Sequence, residues 1–251
     1  MIAFTHLTKS YRGAPVLDDI TFTIAPGSIT GFLGGNGAGK STTMRCLAGL
    51  THPTSGTATI DTHPIQHLPN PGRTIGFQLD TTIDIGSRSG RNSLLWSAYL
   101  MQLPARRVDE VLDHVGLDHH DATRPIASYS LGMKQRLGIA RALLGAPRYL
   151  VLDEPSNGLD PHGMAWLRDL LHNFAHHGGA VLLSSHLLHE VEQVADHLVV
   201  IDHGRIVSTG ATRDLLHTST LEQLYFTHTT TTDMTPTATA SRVPDLAGAP
   251  R

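Results

Sequence analysis

The chain has 251 residues, is 40% hydrophobic and carries a formal charge of -3. That length is ample for a core and suits one α/β domain with a subdomain, and the lack of a basic excess argues against a nucleic-acid binder. Cys46 is its only cysteine, so an internal disulfide is excluded and the side chain reads as a small buried apolar group. The 17 histidines are scattered; pairs such as His119-His120 and His176-His177 read as surface residues, not as a convergent metal set. The N-terminal residues show no basic leader followed by an apolar stretch, and no run approaches the roughly 18 apolar residues of a membrane span. The expectation is a cytoplasmic chain that serves any membrane process through a partner.

In chain order, strand-like runs occupy residues 20–24 and 28–33. The second enters Gly34-Gly35-Asn36-Gly37-Ala38-Gly39-Lys40-Ser41, which fits the phosphate-loop pattern of glycine, four residues, glycine, lysine and serine or threonine. Residues 42–50, opening on Thr42, read as a helix. Further strand runs lie at 57–61 and 74–77. From about 91 to 147 the strand signal stops. Residues 92–102 read as helix, ending before Pro104, and Val108, Val111, Leu112 and Val115 fall on one helical face. Strand runs return at 149–153, 180–184 and 197–202. The runs around Leu150 and Val181 are continuous rather than alternating, as in strands covered on both faces. Alternating strands and helices argue for an α/β layered fold, with the 82–147 block as an inserted helical subdomain. After about residue 227, four consecutive threonines and then Pro236, Pro244 and Pro250 read as a disordered tail over 228–251.

Each part of the loop has a role on a nucleoside triphosphate. The glycines Gly34, Gly37 and Gly39, with Asn36 and Ala38 between them, let successive N–H groups turn inward on a phosphate. Lys40 reaches the β- and γ-phosphates, and the Ser41 hydroxyl can ligate Mg²⁺. The helix that follows, through Thr42, directs its dipole at the same anion. A second signal is the apolar run Tyr149-Leu150-Val151-Leu152 ending in Asp153-Glu154-Pro155. Beside a phosphate loop the first carboxylate, Asp153, holds the metal, and the next, Glu154, is placed to polarise a water as general base. Alone, an acidic strand end is a common solvated feature; together with the loop it is informative.

With these residues the chain resembles the ATP-binding cassette (ABC) ATPases, and the resemblance extends over residues 1 to about 227. The family's signature segment corresponds to Tyr129-Ser130-Leu131-Gly132-Met133, followed by the matching helix from Lys134 to Leu143. Pro155-Ser156-Asn157-Gly158-Leu159-Asp160 matches the loop after the acid pair, Ser184-Ser185-His186 the switch histidine, and Tyr11 the aromatic that stacks on adenine, a contact of about 1–3 kcal/mol in comparable systems. The resemblance implies a phosphate-loop NTPase core, a mixed β-sheet flanked by helices, with ATP and Mg²⁺ as ligands. Lys40, Glu154 and His186 would serve catalysis. Tyr11, residues 34 and 36–42, Ser130, Gly132 and Asp160 would contact nucleotide. Ser41 and Asp153 would hold the metal with Asp80, or with Gln78 as the alternative, because the glutamine-loop segment reads Gln78-Leu79-Asp80. It also implies a second nucleotide-binding subunit, a homodimer in the simplest case, whose Ser130 and Gly132 cover the nucleotide held by Lys40 of the first, and a permease at the inner face of the cell membrane, met by residues 88–103.

Departures from the family pattern are Gly35 in place of a proline, Leu131 in place of the first signature glycine and Met133 in place of the glutamine. Leu131 must point away from the nucleotide for the segment to work. This signature variant resembles those of bacterial drug and antibiotic exporter cassettes, which implies an exporter of drugs, antibiotics or other small amphipathic molecules. The alternative is a soluble ABC-type ATPase acting on nucleic acid or ribosomes without a permease. Such proteins carry two cassettes with a basic linker, or a long inserted coiled coil, and neither is visible here.

Overall fold

A computed structural model describes residues 1–79, 88–185 and 188–218. The chain opens with β1 (Ile2–Tyr11), β2 (Ala14–Ile24) and β3 (Ile29–Leu33), and α1 (Lys40–Leu47) follows the glycine-rich loop. β4 (Ser55–Ile60) and β5 (Ile75–Gln78) precede four helices: α2 (Gly90–Leu100), α3 (Arg106–His114), α4 (His119–Thr123) and α5 (Leu131–Leu143). β6 (Tyr149–Asp153), α6 (Pro161–His176), β7 (Ala180–Ser185), α7 (Leu188–Glu192), β8 (His197–Asp202), β9 (Arg205–Ala211) and α8 (Thr212–Thr218) complete the described chain. Between β5 and β6 the described residues form helices and no strand.

The strands form two sheets. β2-β1-β4 is antiparallel, and β5-β6-β7-β3-β8-β9 is mixed: its first five strands run parallel, and β9 lies antiparallel at the edge. Successive residues of the central strands belong to different cores. Leu150, Leu152, Val181 and Leu183 face a layer built by α2, α3, α5 and α6. Phe32, Val151, Leu182 and Val199 face α1 and the three-stranded sheet. Burial on both faces explains why these segments are unbroken apolar runs. On the second side Phe4 stacks on Phe22 at 4.5 Å, and Phe22 meets Phe32 at 5.3 Å, which joins the small sheet to the large one.

Two strands escape the sequence reading. β1 carries a register shift between Phe4 and Leu7, with His6 in the left-handed region at φ 49°. The irregularity breaks the two-residue alternation that marks a half-buried strand. β9 is an edge strand, and none of its residues is fully buried, so it lacks the apolar pattern. Asp80, His186 and the 228–251 segment lie outside the described residues. Among the described residues no helix is long and apolar enough to cross a membrane. Cys46 is buried on α1, and burial raises its thiol pKa.

β5 and α5 approach so closely that a Cβ on Gly76 would lie 1.9 Å from the Ala142 carbonyl oxygen. That atom is backbone and cannot swing aside. Gly76→Ala is therefore expected to destabilise the protein by about 1–3 kcal/mol, as overpacking does, read as a lower urea midpoint.

Candidate active site

The parallel order brings the carboxyl ends of β3, β6 and β7 side by side, the edge at which open α/β sheets place their ligands. β3 delivers the loop. A Cβ on Gly34 would lie 2.4 Å from the Ile201 carbonyl oxygen, and one on Gly39, at φ 114°, would lie 2.6 Å from Leu17 Cδ2. Glycine is thus required at both ends of the loop, which is wedged between the end of β8 and β2. Between them Asn36 and Gly37 are exposed, and Ala38 is buried. The first turn of α1 closes as Thr43 N–H and its hydroxyl both donate to the Gly39 carbonyl, at 2.9 and 3.0 Å.

Lys40 is buried at the head of α1, and its Nζ donates to the carbonyls of Gly34 and Gly35 at 2.6 and 3.2 Å. Burial pushes its pKa down, while the carboxylates of Glu154 and Asp153 act in the opposite sense. Next to it, Ser41 Oγ donates to Asp153 Oδ2 at 2.6 Å. The other Asp153 oxygen accepts from the hydroxyl of Ser184 on β7, its register partner. Ser184, fully buried, also receives the Glu154 N–H, on Oγ at 3.0 Å and on its carbonyl at 3.3 Å. Glu154 itself holds φ 51°, a left-handed conformation that costs energy in a non-glycine residue and persists where neighbours fix it. Lys40, Ser41, Asp153 and Glu154 therefore form one group. It offers an ammonium, exposed backbone at a loop tip and a helix N-terminus to an anion, and the Ser41 and Asp153 oxygens, hard donors of the type Mg²⁺ takes.

The remaining expected residues are placed elsewhere. Asp160 caps α6, its Oδ1 accepting from Gly163 N–H at 2.7 Å. Ser130 caps α5 by accepting from Met133 N–H at 3.2 Å and is exposed. Gly132 stands close to the Gly158 carbonyl, which would lie 3.0 Å from its Cβ. Leu131 leans over Gly158, whose Cβ would come within 2.3 Å of the leucine. Tyr11, half exposed at the end of β1, has the Lys9 ammonium over its ring at 4.7 Å. Gln78, the metal-ligand alternative, is buried, and its amide donates to Gln135 of α5. Two residues in contact with the acid pair have no place among the expected site residues. In the sequence Ser184 reads only as a flank of His186, and Gln135, fully buried with Nε2 donating to the Glu154 carbonyl at 3.2 Å, only as helix. The available signal for Gln135 is a polar residue among the apolar positions that α5 buries.

The chain is similar to known proteins over most of its length. The ABC transporter family model matches residues 17–157. The bacitracin transport ATP-binding protein of Bacillus licheniformis is 41% identical over 210 residues, covering 82% of this chain and 68% of that one. The lantibiotic transport ATP-binding protein of Streptococcus pyogenes is 36% identical over 82% of this chain and 89% of its own. A solved ATP-binding subunit of an ABC transporter superposes with a TM-score of 0.82 at 28% identity, over 90% of this chain and 98% of the other.

The buried Ser184 hydroxyl serves two partly buried partners at once. Ser184→Ala leaves the Asp153 carboxylate and the Glu154 N–H each short of one hydrogen bond. The expected loss is about 1–3 kcal/mol of unfolding free energy, measured by chemical denaturation.

Proposed function

Because the chain belongs to the ABC transporter family, an ATPase family coupled to transport, we propose that it is the ATP-hydrolysing subunit of a membrane exporter whose cargo is a drug, an antibiotic or another small amphipathic molecule. The observation that carries the ATPase reading is the gathering of Lys40, Ser41, Asp153 and Glu154 at the carboxyl edge of the sheet. The cargo class rests on the similarity to the bacitracin and lantibiotic transport proteins.

In this reading the loop from Gly34 to Ser41, with Thr42, cradles the phosphates, and Lys40 exchanges its two loop carbonyls for phosphate oxygens. Ser41 and Asp153 hold Mg²⁺, which, when bound, neutralises charge on the phosphates. Glu154 takes a proton from the attacking water. His186 and Asp80 keep the γ-phosphate and metal roles that the resemblance implies. Tyr11 stacks on the base through the ring face away from Lys9. Ser130 and Gly132, at the exposed N-terminus of the 13-residue α5, close over the nucleotide of a second cassette, with Leu131 packed against Gly158. ATP then holds the two cassettes together, and hydrolysis releases them, a two-state change driven by unequal affinity for the closed and open forms.

A second surface supports the transport half of the proposal. On α2, Trp96, Tyr99 and Leu100 are 57, 76 and 77% exposed. Arg88 lies over the Trp96 ring at 5.5 Å, and Arg88, Asn92, Leu95, Trp96 and Tyr99 line a groove of about 540 Å³. Exposed aromatic and aliphatic side chains beside an arginine are the composition of an interface anchor. We assign this groove to a segment of the permease, which would hold the cassette at the inner face of the membrane.

Two measurements test these assignments. Glu154→Gln is expected to keep ATP binding and lose hydrolysis by a factor of about 10² or more, while Lys40→Ala weakens binding itself. Hydrolysis near the parent rate in Glu154→Gln would overturn the assignment of the base. The permease assignment is read by affinity capture in mild detergent. The parent should bring down a polytopic membrane protein in stoichiometric amount, and Trp96→Ala with Tyr99→Ala should lose it while retaining ATP binding. Ribosomal or nucleic-acid partners in its place would move the chain to a soluble role.

A further inference from the structure

Glu154 is held by its backbone from two sides. Ser184 takes its N–H, and Gln135 donates to its carbonyl at 3.2 Å, an oxygen that also accepts from Asn157 N–H at 3.3 Å. Gln135 is fully buried, and its own Oε1 accepts from the Gln78 amide. Gln78 is 4% exposed and closes β5, paired in register with Leu152 of β6. A line of buried amides therefore runs from the end of β5, through α5, to the peptide of Glu154.

Two observations set this line apart from ordinary core packing. Among the described residues Gln78 Oε1 meets no hydrogen-bond partner, although it is buried. A buried acceptor without a donor is unfavourable and uncommon in native structures. Second, Glu154 sits at φ 51°, so its side-chain direction depends on how firmly its peptide is held. The room for the Gln78 side chain is provided by Gly138, where a Cβ would lie 3.1 Å from Gln78 Cγ.

We propose that Gln135 is a positioning residue for hydrolysis: it fixes the Glu154 peptide, and Gln78 fixes Gln135, so that the end of β5 sets the aim of the Glu154 carboxylate. The unsatisfied Oε1 of Gln78 makes this the adjustable member of the line, because a donor offered to it would reorient its amide and with it Gln135. This inference rests on the reading of Glu154 as the base. It adds that two residues outside the group of Lys40, Ser41, Asp153 and Glu154 control the rate.

The test is steady-state ATP hydrolysis with independent measurement of ATP affinity and of nucleotide-binding sites per chain. Gln135→Leu is expected to lower kcat by about tenfold to a hundredfold, the scale on which small misplacements of a reacting group act, with ATP Kd within about twofold and site number unchanged. Gln78→Leu should lower kcat less. The double variant should fall no further than Gln135→Leu, since residues acting in series are not additive. Gly138→Ala, which keeps every hydrogen-bonding group but crowds Gln78, should reproduce the Gln78→Leu phenotype and reports on the line should Gln135→Leu fold poorly. Parent-like kcat in Gln135→Leu or in Gly138→Ala would overturn the proposal. So would multiplicative losses in the double variant, or losses that merely follow the number of binding sites. A parent without ATPase activity, or a fully active Glu154→Gln, would instead remove the reading of Glu154 on which the inference rests.

Discussion

The carboxylate of Asp153 accepts one hydroxyl from Ser41 and another from Ser184, and much of the site depends on this double contact. It ties the helix after β3, the end of β6 and the end of β7 into one unit. The geometry is available only because β6 and β7 run parallel with Asp153 opposite Ser184. A one-residue slip in that register would turn Asp153 to the other face of the sheet and separate it from Lys40 as well. The clasp also answers an electrostatic problem. Two acids and an ammonium sit close together and partly out of water, where an unpaired charge is costly. Lys40 shows the balance: burial lowers its proton affinity, and Glu154 and Asp153 oppose that effect.

The loop around this clasp is shaped by exclusion. Gly34 and Gly39 have no space for a side chain because Ile201, Leu17 and Val16 stand against them. The loop is thus pressed onto the end of β8 and onto β2, and its tip, with Asn36 and Gly37, is left exposed. The tight base and open tip suit a surface that has to bring several backbone N–H groups to bear on an anion. They also explain why the small sheet, which contributes no acid or base to the site, is needed: β2 forms one wall behind the loop.

The parts of this arrangement that were legible in the sequence are those carried by short, local patterns. The loop from Gly34 to Ser41, the Asp153-Glu154 strand end and the unbroken apolar runs of β6 and β7 each declare themselves within a few residues, and the structure places them where the patterns imply. The strands that were missed are those whose pattern is broken or absent, β1 by its shift after Phe4 and β9 by its position at an edge. Gln78 shows a different limit. The direction of a side chain at a strand end depends on what packs there, and Gly138 of α5 opens a space that takes Gln78 inward. Ser184 and Gln135 escaped for the same reason. Their partners, Asp153 and the Glu154 peptide, are 31 and 19 residues away in the chain, and hydrogen bonds of that span leave no local signature.

One helix connects the surfaces this chain presents. α5 begins at Ser130, whose side chain caps it at the exposed end assigned to a second cassette. One turn on, Gln135 reaches the peptide of Glu154. Near its far end Arg141, whose pKa burial lowers, donates to Ser93 of α2 at 2.7 Å, the helix that bears Trp96 and Tyr99. Eleven residues separate Ser130 from Arg141 in the sequence, about 16 Å of helix at 1.5 Å per residue. A helix packed this closely moves as a body, and the contact at Gly76 leaves β5 no freedom to slide along it. A shift of α2 on the permease side would therefore reach the Glu154 peptide and the α5 N-terminus together. Under the proposed assignments no separate messenger is needed, because α5 bears the end assigned to a second cassette, contacts the Glu154 peptide and holds α2, the helix that lines the groove assigned to the permease.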